Sequence, residues 1–192
     1  MIPVARVPEP EGFDERVRKR GAQWLKDNPS AERPRDYWSE FRPALRDGFR
    51  WRCGYTAMWD GSGTLDHFLS WRGHEHLAYE WSNYRYVSLW INSSKKTTQI
   101  LDPYEVGEGW FEILLPSLQL VMTDKVPESY RARAEATLGA LPLVHDDRIV
   151  QLRSEWYEMY KRSELSLAGL CKVAPLLAMA VEKHLSAGLP LP

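Results

Sequence analysis

The 192-residue chain carries 25 Lys and Arg against 26 Asp and Glu, a formal net charge of −1, with 44% hydrophobic and 12% aromatic residues. That is the size of one domain with enough apolar mass for a core, and its balanced charge argues neither for nor against nucleic acid, although Arg33, Arg35, Arg42, Arg46, Arg50 and Arg52 crowd one stretch. No apolar run nears the roughly 20 residues of a membrane span, Met1-Ile2-Pro3-Val4-Ala5-Arg6 is too short and polar for a signal peptide, and the two cysteines, Cys53 and Cys171, exclude a disulfide framework and a four-thiolate zinc site. A cytoplasmic protein with reduced, buried thiols is expected.

In chain order, Pro3, Pro8 and Pro10 hold an extended arm, and Phe13 to Lys26 reads as a first helix with Phe13, Val17, Ala22 and Leu25 on its apolar side. Tyr37, Trp38, Phe41, Leu45 and Phe49 recur at helical spacing, with a kink expected at Pro43 and an end near Gly48. Arg42, Arg46 and Arg50, four apart, would line one helical face, either simply solvated or contacting phosphates. Gly61-Ser62-Gly63 is a turn signal before a strand over Thr64 to Leu69, which would present Asp66 and His67 on opposite faces or at a twisted end. His74 to Glu80 reads as a loop or short helical turn, Tyr84 to Trp90 as a second strand, and Ser93 to Gln99 as the start of a helix with Asn92 near its cap. Trp110 to Leu115 and Leu118 to Thr123 form a hairpin candidate, followed by three helices over Pro127 to Gly139, Asp146 to Arg162 and Ser166 to Ser186.

Five side chains carry chemistry: the adjacent Asp66 and His67, then Asn83, Asn92 and Lys95. Phosphodiester hydrolysis needs a base to activate water and a cation to absorb charge on phosphorus and the leaving oxygen. His67, with an ordinary imidazole pKa near 6.5, suits the base, a contribution of about 10² to 10⁴ in rate. Asp66 and Asn92 offer hard oxygens that suit Mg²⁺ or Mn²⁺ and leave water positions open, and Lys95 would compensate phosphate charge. His74-Glu75-His76 is more simply a solvated polar loop than a ligand set, with His74 the better ligand candidate. Asp102-Pro103 reads as the start of a turn.

The ordered set Asp66-His67, Asn83 and Asn92, within Arg52 to Lys95, resembles the HNH endonuclease module. In that ββα-metal core an Asp-His pair lies on the first strand, an Asn in the loop before the second strand and a His or Asn at the start of the helix. Val7-Pro8-Glu9-Pro10, the phrase Leu77-Ala78-Tyr79-Glu80-Trp81-Ser82-Asn83-Tyr84-Arg85 and Leu101-Asp102-Pro103 are similar to bacterial HNH proteins related to the HNH subunit of Septu anti-phage systems. The likeness is detailed over Cys53 to Pro103 and loose over the C-terminal helices. It implies an α+β, mainly helical single domain over residues 1–192, with a ββα-metal core at about 52–100 and a helical part at about 127–187. It also implies that Asn83 holds the loop and orients His67 through its carbonyl, that DNA is cut, and that the protein acts in defence, with an ATPase partner.

Many HNH proteins brace this core with zinc on two Cys-x-x-Cys pairs. Here those positions read Cys53-x-x-Thr56 and Ser88-x-x-Ile91, so no structural zinc is expected, and Trp51, Trp59, Trp81 and Trp90 are the candidates to fill its place as core. Trp71 stands where relatives often carry Lys, with Arg72 as the substitute cation. The alternative to a metal-dependent endonuclease is an HNH-derived subunit whose cleavage has lapsed and which binds nucleic acid or a protein.

Overall fold

Alternating apolar and polar residues after a glycine turn build the centre of the chain. The computed structural model describes residues 1–96 and 99–192. In it β1 (Thr64–His67) and β2 (Tyr84–Val87) pair antiparallel, with Thr64 opposite Val87, Leu65 opposite Tyr86, Asp66 opposite Arg85 and His67 opposite Tyr84. Gly63 admits the Tyr86 ring beside the start of β1, where a Cβ would lie 2.5 Å from Tyr86 Cζ. The second strand is shorter than its aromatic run predicts. It stops at Val87, and Leu89–Ser94 forms helix α3, in which exposed Leu89, half-buried Trp90 and buried Ile91 follow a helical and not a strand alternation. Asn92 therefore lies inside α3 and not at the cap of a later helix. The helix expected over Ser93 to Gln99 ends at Ser94, and the Thr97 and Thr98 of that prediction fall outside the described residues.

The N-terminal helix has a wide π turn over Asp14–Lys19 that runs into α1 (Arg20–Asp27). With hydrogen bonds to the fifth residue the turn takes more than four residues, so the buried side runs Phe13, Val17, Gly21, while Ala22, expected inside, is exposed. Gly21 fits because Tyr79 lies against it, where a Cβ would sit 2.2 Å from the ring. Helix α2 (Arg42–Gly48) follows a 3₁₀ turn at Ser39–Phe41 and ends at Gly48 as expected. Pro43 falls in its first turn, where a missing N–H breaks no bond, so no kink forms. Arg50 and Trp51 take left-handed φ of 53° and 60°, so Arg50 leaves the face that Arg42 and Arg46 share.

The predicted hairpin is present as β3 (Phe111–Leu114) and β4 (Gln119–Met122), paired from Phe111–Met122 to Leu114–Gln119. Helices α4 (Glu128–Ala140) and α5 (Asp147–Lys161) match the sequence pattern, and the Asp146 carboxylate caps α5 by accepting from Arg148 N–H. The last expected helix is two, α6 (Leu167–Val173) and α7 (Pro175–Ser186): Pro175 has no N–H to give and holds Ala174 out of helical geometry at φ −147°, ψ 72°. The fold is a single α+β domain with seven α-helices and two two-stranded sheets among the described residues.

Two apolar clusters flank the β1–β2 hairpin. Leu65, Tyr84 and Tyr86 join Phe13, Val17, Phe41, Leu45, Phe49, Tyr79 and Trp81 of the N-terminal half. Val87 and Ile91 join Cys53, Tyr55, Ile100 and Leu101 and the cluster under β3, β4 and the C-terminal helices. Cys53 is buried, but Cys171, expected inside, is exposed. The tryptophans also depart from expectation. Of the four proposed to fill the place of zinc, Trp81 is buried and Trp90 half-buried, whereas Trp51 and Trp59 are 38% and 44% exposed, and of all nine only Trp81 and Trp110 are buried. No helix among the described residues is long and apolar enough to cross a membrane.

Candidate active site

Strand alternation sets the chemistry of the site. Leu65 and His67 leave β1 toward the N-terminal aromatic cluster and Asp66 leaves toward the other face. His67 Nε2 lies 2.8 Å from the Ala78 carbonyl oxygen, which also accepts from the Tyr84 hydroxyl at 2.7 Å. The 3₁₀ turn Glu75–Leu77 delivers that carbonyl. A carbonyl only accepts, so Nε2 carries the hydrogen, and the neutral ring keeps its basic lone pair on Nδ1. Trp38 and Tyr84 meet the imidazole edge-to-face, with centroids at 4.7 and 5.0 Å. Burial pulls the His67 pKa below its usual 6.5, the Ala78 carbonyl works against this, and the Lys95 charge adds to the lowering. The ring is neutral at pH 7.

On the opposite face the groups are charged. The Lys95 ammonium, just past α3, donates to Asp66 Oδ2 at 2.6 Å and to the His67 carbonyl at 2.8 Å, strapping α3 to β1. Arg85, opposite Asp66 on β2, forms a two-pronged buried pair with Asp102, with Nε donating to Oδ1 at 2.6 Å, and also donates to the Ser82 and Tyr84 carbonyls. Both cations lie by the Phe68 ring, Arg85 at 5.1 Å and Lys95 at 5.5 Å, and Arg85 covers Tyr104 at 4.0 Å. Burial pushes the Asp66 carboxyl up and the Lys95 ammonium down, and each charge holds the other against that pull. The Tyr55 hydroxyl is buried beside this cluster with no hydrogen-bond partner among the described residues, and burial, then the charges of Asp66 and Asp102, raise its pKa well above 10.

Asn83 ties the long loop between the strands. Its Oδ1 accepts from Leu69 N–H at 2.8 Å and its Nδ2 donates to the Leu69 and Leu77 carbonyls at 2.9 and 3.2 Å. Its backbone carbonyl accepts from Phe68 N–H at 2.8 Å, so the carbonyl that orients the His67 ring is that of Ala78 and not of Asn83. Asp66, His67, Asn83 and Lys95 are thus gathered on one hairpin and its helix. Asn92 is half-buried in α3, where its backbone carbonyl accepts from Lys95 N–H. The Lys95 ammonium is committed to Asp66 and to a backbone carbonyl instead of standing open to a phosphate, because a buried carboxylate is the stronger claim on it. His74 Nδ1 lies 3.1 Å from the Ser70 carbonyl, and no group of three or more His, Cys, Asp or Glu able to hold a metal forms among the described residues. The Asp66 carboxylate and the Asn92 amide carry hard oxygens of the type Mg²⁺ or Mn²⁺ prefers, but Asp66 is buried and paired with the Lys95 ammonium, which an ion bound there would have to displace.

Sequence reasoning missed Trp38, Ala78, Tyr84 and the Arg85–Asp102 pair. One signal was present: an arginine inside the run Tyr84-Arg85-Tyr86-Val87 sits in an apolar strand and requires a buried acid, which Asp102 supplies besides capping its turn through Tyr104 N–H. No protein-family model matches the chain, and no curated protein matches it either.

Proposed function

We propose that the chain is a divalent-metal-dependent endonuclease that hydrolyses phosphodiester bonds of DNA, in the manner that the HNH resemblance implies. The observation that carries this reading is the His67 imidazole, neutral at pH 7, with its hydrogen fixed on Nε2 by Ala78 and its basic nitrogen, Nδ1, left to take a proton. In this reading Nδ1 removes a proton from the attacking water. Ala78 and Tyr84 keep the ring from turning, and Asn83 keeps the Leu69 to Leu77 loop closed around it. Asp66 and Asn92 would hold Mg²⁺ or Mn²⁺, which when bound would polarise the phosphate and stabilise the departing 3′ oxygen; since Asp66 and His67 leave β1 on opposite faces, this reading requires the phosphate to reach both at the His67 end of the strand. Defence against foreign DNA beside an ATPase partner extends the same reading.

Supercoiled plasmid incubated with Mg²⁺, Mn²⁺ or EDTA tests it. Nicking or linearisation that needs metal, and that falls at least about 100-fold in His67→Ala, is the expected result; equal cutting by wild type and His67→Ala contradicts it.

The second reading, an HNH-derived binding subunit without cleavage, is favoured by one contact, the Lys95 ammonium neutralising Asp66. Thermal unfolding separates the two, because only a folded site that binds metal gains stability from it. The nuclease reading expects a rise in Tm at millimolar Mn²⁺ that is lost in Asp66→Ala. No rise in wild type supports the binding subunit.

A further inference from the structure

The exposed indoles of Trp51 and Trp59 lie parallel, within 4°, with centroids 6.3 Å apart, and the Arg46 guanidinium covers the Trp51 ring at 3.7 Å. Large aromatic surface held in water is a cost that the chain meets by deliberate geometry. Arg50 and Trp51 occupy consecutive left-handed positions, rare for bulky side chains, and this turn carries the Trp51 indole out of the core. The backbone around both rings is pinned. Trp51 N–H donates to Arg46 O, Asp60 N–H to Trp51 O, Trp59 N–H to Val173 O, and Arg52 bridges to Trp59 and donates to the Cys171 and Lys172 carbonyls. The rings are therefore preorganised, which lowers the ordering cost of binding.

Cations surround them. Arg42 and Arg46 share a face of α2, one turn apart, and exposed Arg50 follows in the turn. The acids nearby are Asp47, which pairs with Arg46, and Asp60, which accepts from Ser62. Parallel π faces with a ridge of guanidinium groups match an unpaired nucleotide strand, whose bases stack on any aromatic face while its phosphates meet the cations. A duplex keeps its base faces stacked inside and offers only phosphates to the same surface. The geometry points to this face as a stacking platform for an unpaired stretch of nucleic acid. Trp59 precedes β1 by the turn at Gly61-Ser62-Gly63, and His67 closes that strand. The platform deepens the nuclease reading by naming the form of the strand that is held, and it is tested by binding alone.

Fluorescence anisotropy of labelled dT20, rU20 and a 20-base-pair duplex, in EDTA and across a salt series, reads it out. The expected result is tighter binding of dT20 or rU20 than of duplex, the better of the two identifying the polymer. Trp51→Leu and Trp59→Leu keep an apolar side chain without a π face and should each weaken binding roughly 5- to 100-fold, whereas Trp51→Phe and Trp59→Phe retain most of it. Arg42→Gln and Arg50→Gln should each flatten the slope of log affinity against log salt by about 0.7. No binding to any oligonucleotide, duplex bound as tightly as the single strands, or unchanged affinity in both leucine variants at wild-type Tm overturns the proposal. Since cleavage is not measured, that failure leaves the nuclease reading standing, and a plasmid that is not cut leaves the platform standing.

Discussion

The two faces of the β1–β2 hairpin are one residue apart on β1 and are made of opposite materials. Asp66 looks into two buried ion pairs, Asp66 with Lys95 and Arg85 with Asp102, stacked about Phe68. His67 looks into aromatic rings and one backbone carbonyl. The contrast shows how alternation along one strand sends a carboxylate to cations that oppose the pull of burial and the neighbouring imidazole to uncharged groups, where burial favours the form without charge.

The charged face should show the largest stability effects. Asp102→Ala leaves the Arg85 guanidinium buried without its acid and should cost about 3–5 kcal/mol in urea unfolding, while the double replacement Arg85→Met with Asp102→Leu should cost much less, because no buried charge is then stranded. Equal losses in the two variants would break the picture of a charge pair held by mutual need. Asn83→Ala, which opens three hydrogen bonds of the loop that serves the His67 face, should follow at about 2–3 kcal/mol, read in the same titration.

Acid separates the faces by sign. His67 has a folded pKa below its unfolded 6.5, so the stability it contributes is complete above that value and is lost as pH falls through the folded pKa, where the unfolded chain binds the extra proton. Asp66 has a raised folded pKa, so its protonation favours the folded state as pH falls through that value. Unfolding in EDTA should therefore show a loss of stability below pH 6.5 that His67→Gln reduces and Asp66→Asn leaves in place, the remainder belonging to the buried Met1 amine, whose pKa burial pulls down to about 4. A loss of unchanged size in His67→Gln would assign all of it to other groups. The smallest effect is that of Tyr84→Phe, which takes one of two donors from the Ala78 carbonyl and should cost about 1 kcal/mol, leaving the imidazole bond intact.

Much of this hairpin could be read from the sequence, because β1 and the β3–β4 pair follow alternation and turn residues that act locally. The misreadings came where tertiary contacts or single backbone positions decide. Leu89 and Trp90 suit a strand in isolation, yet they open α3, which brings Lys95 back to Asp66. Trp51 looks like core by composition and is turned outward by its left-handed φ. At the candidate site the polar side chains were legible as types, whereas the group that fixes the imidazole is a backbone carbonyl, and Ala78 gives no chemical signal of it.

The state of the His67 ring is the centre of the account, and long-range ¹H–¹⁵N NMR of the imidazole at pH 7 in EDTA reads it directly. A neutral ring with its proton on Nε2 and a bare Nδ1, taking up a second proton only below pH 6.5, is the predicted result. A ring protonated on Nδ1, or one already cationic at pH 7, would contradict it and remove the base from the proposed chemistry.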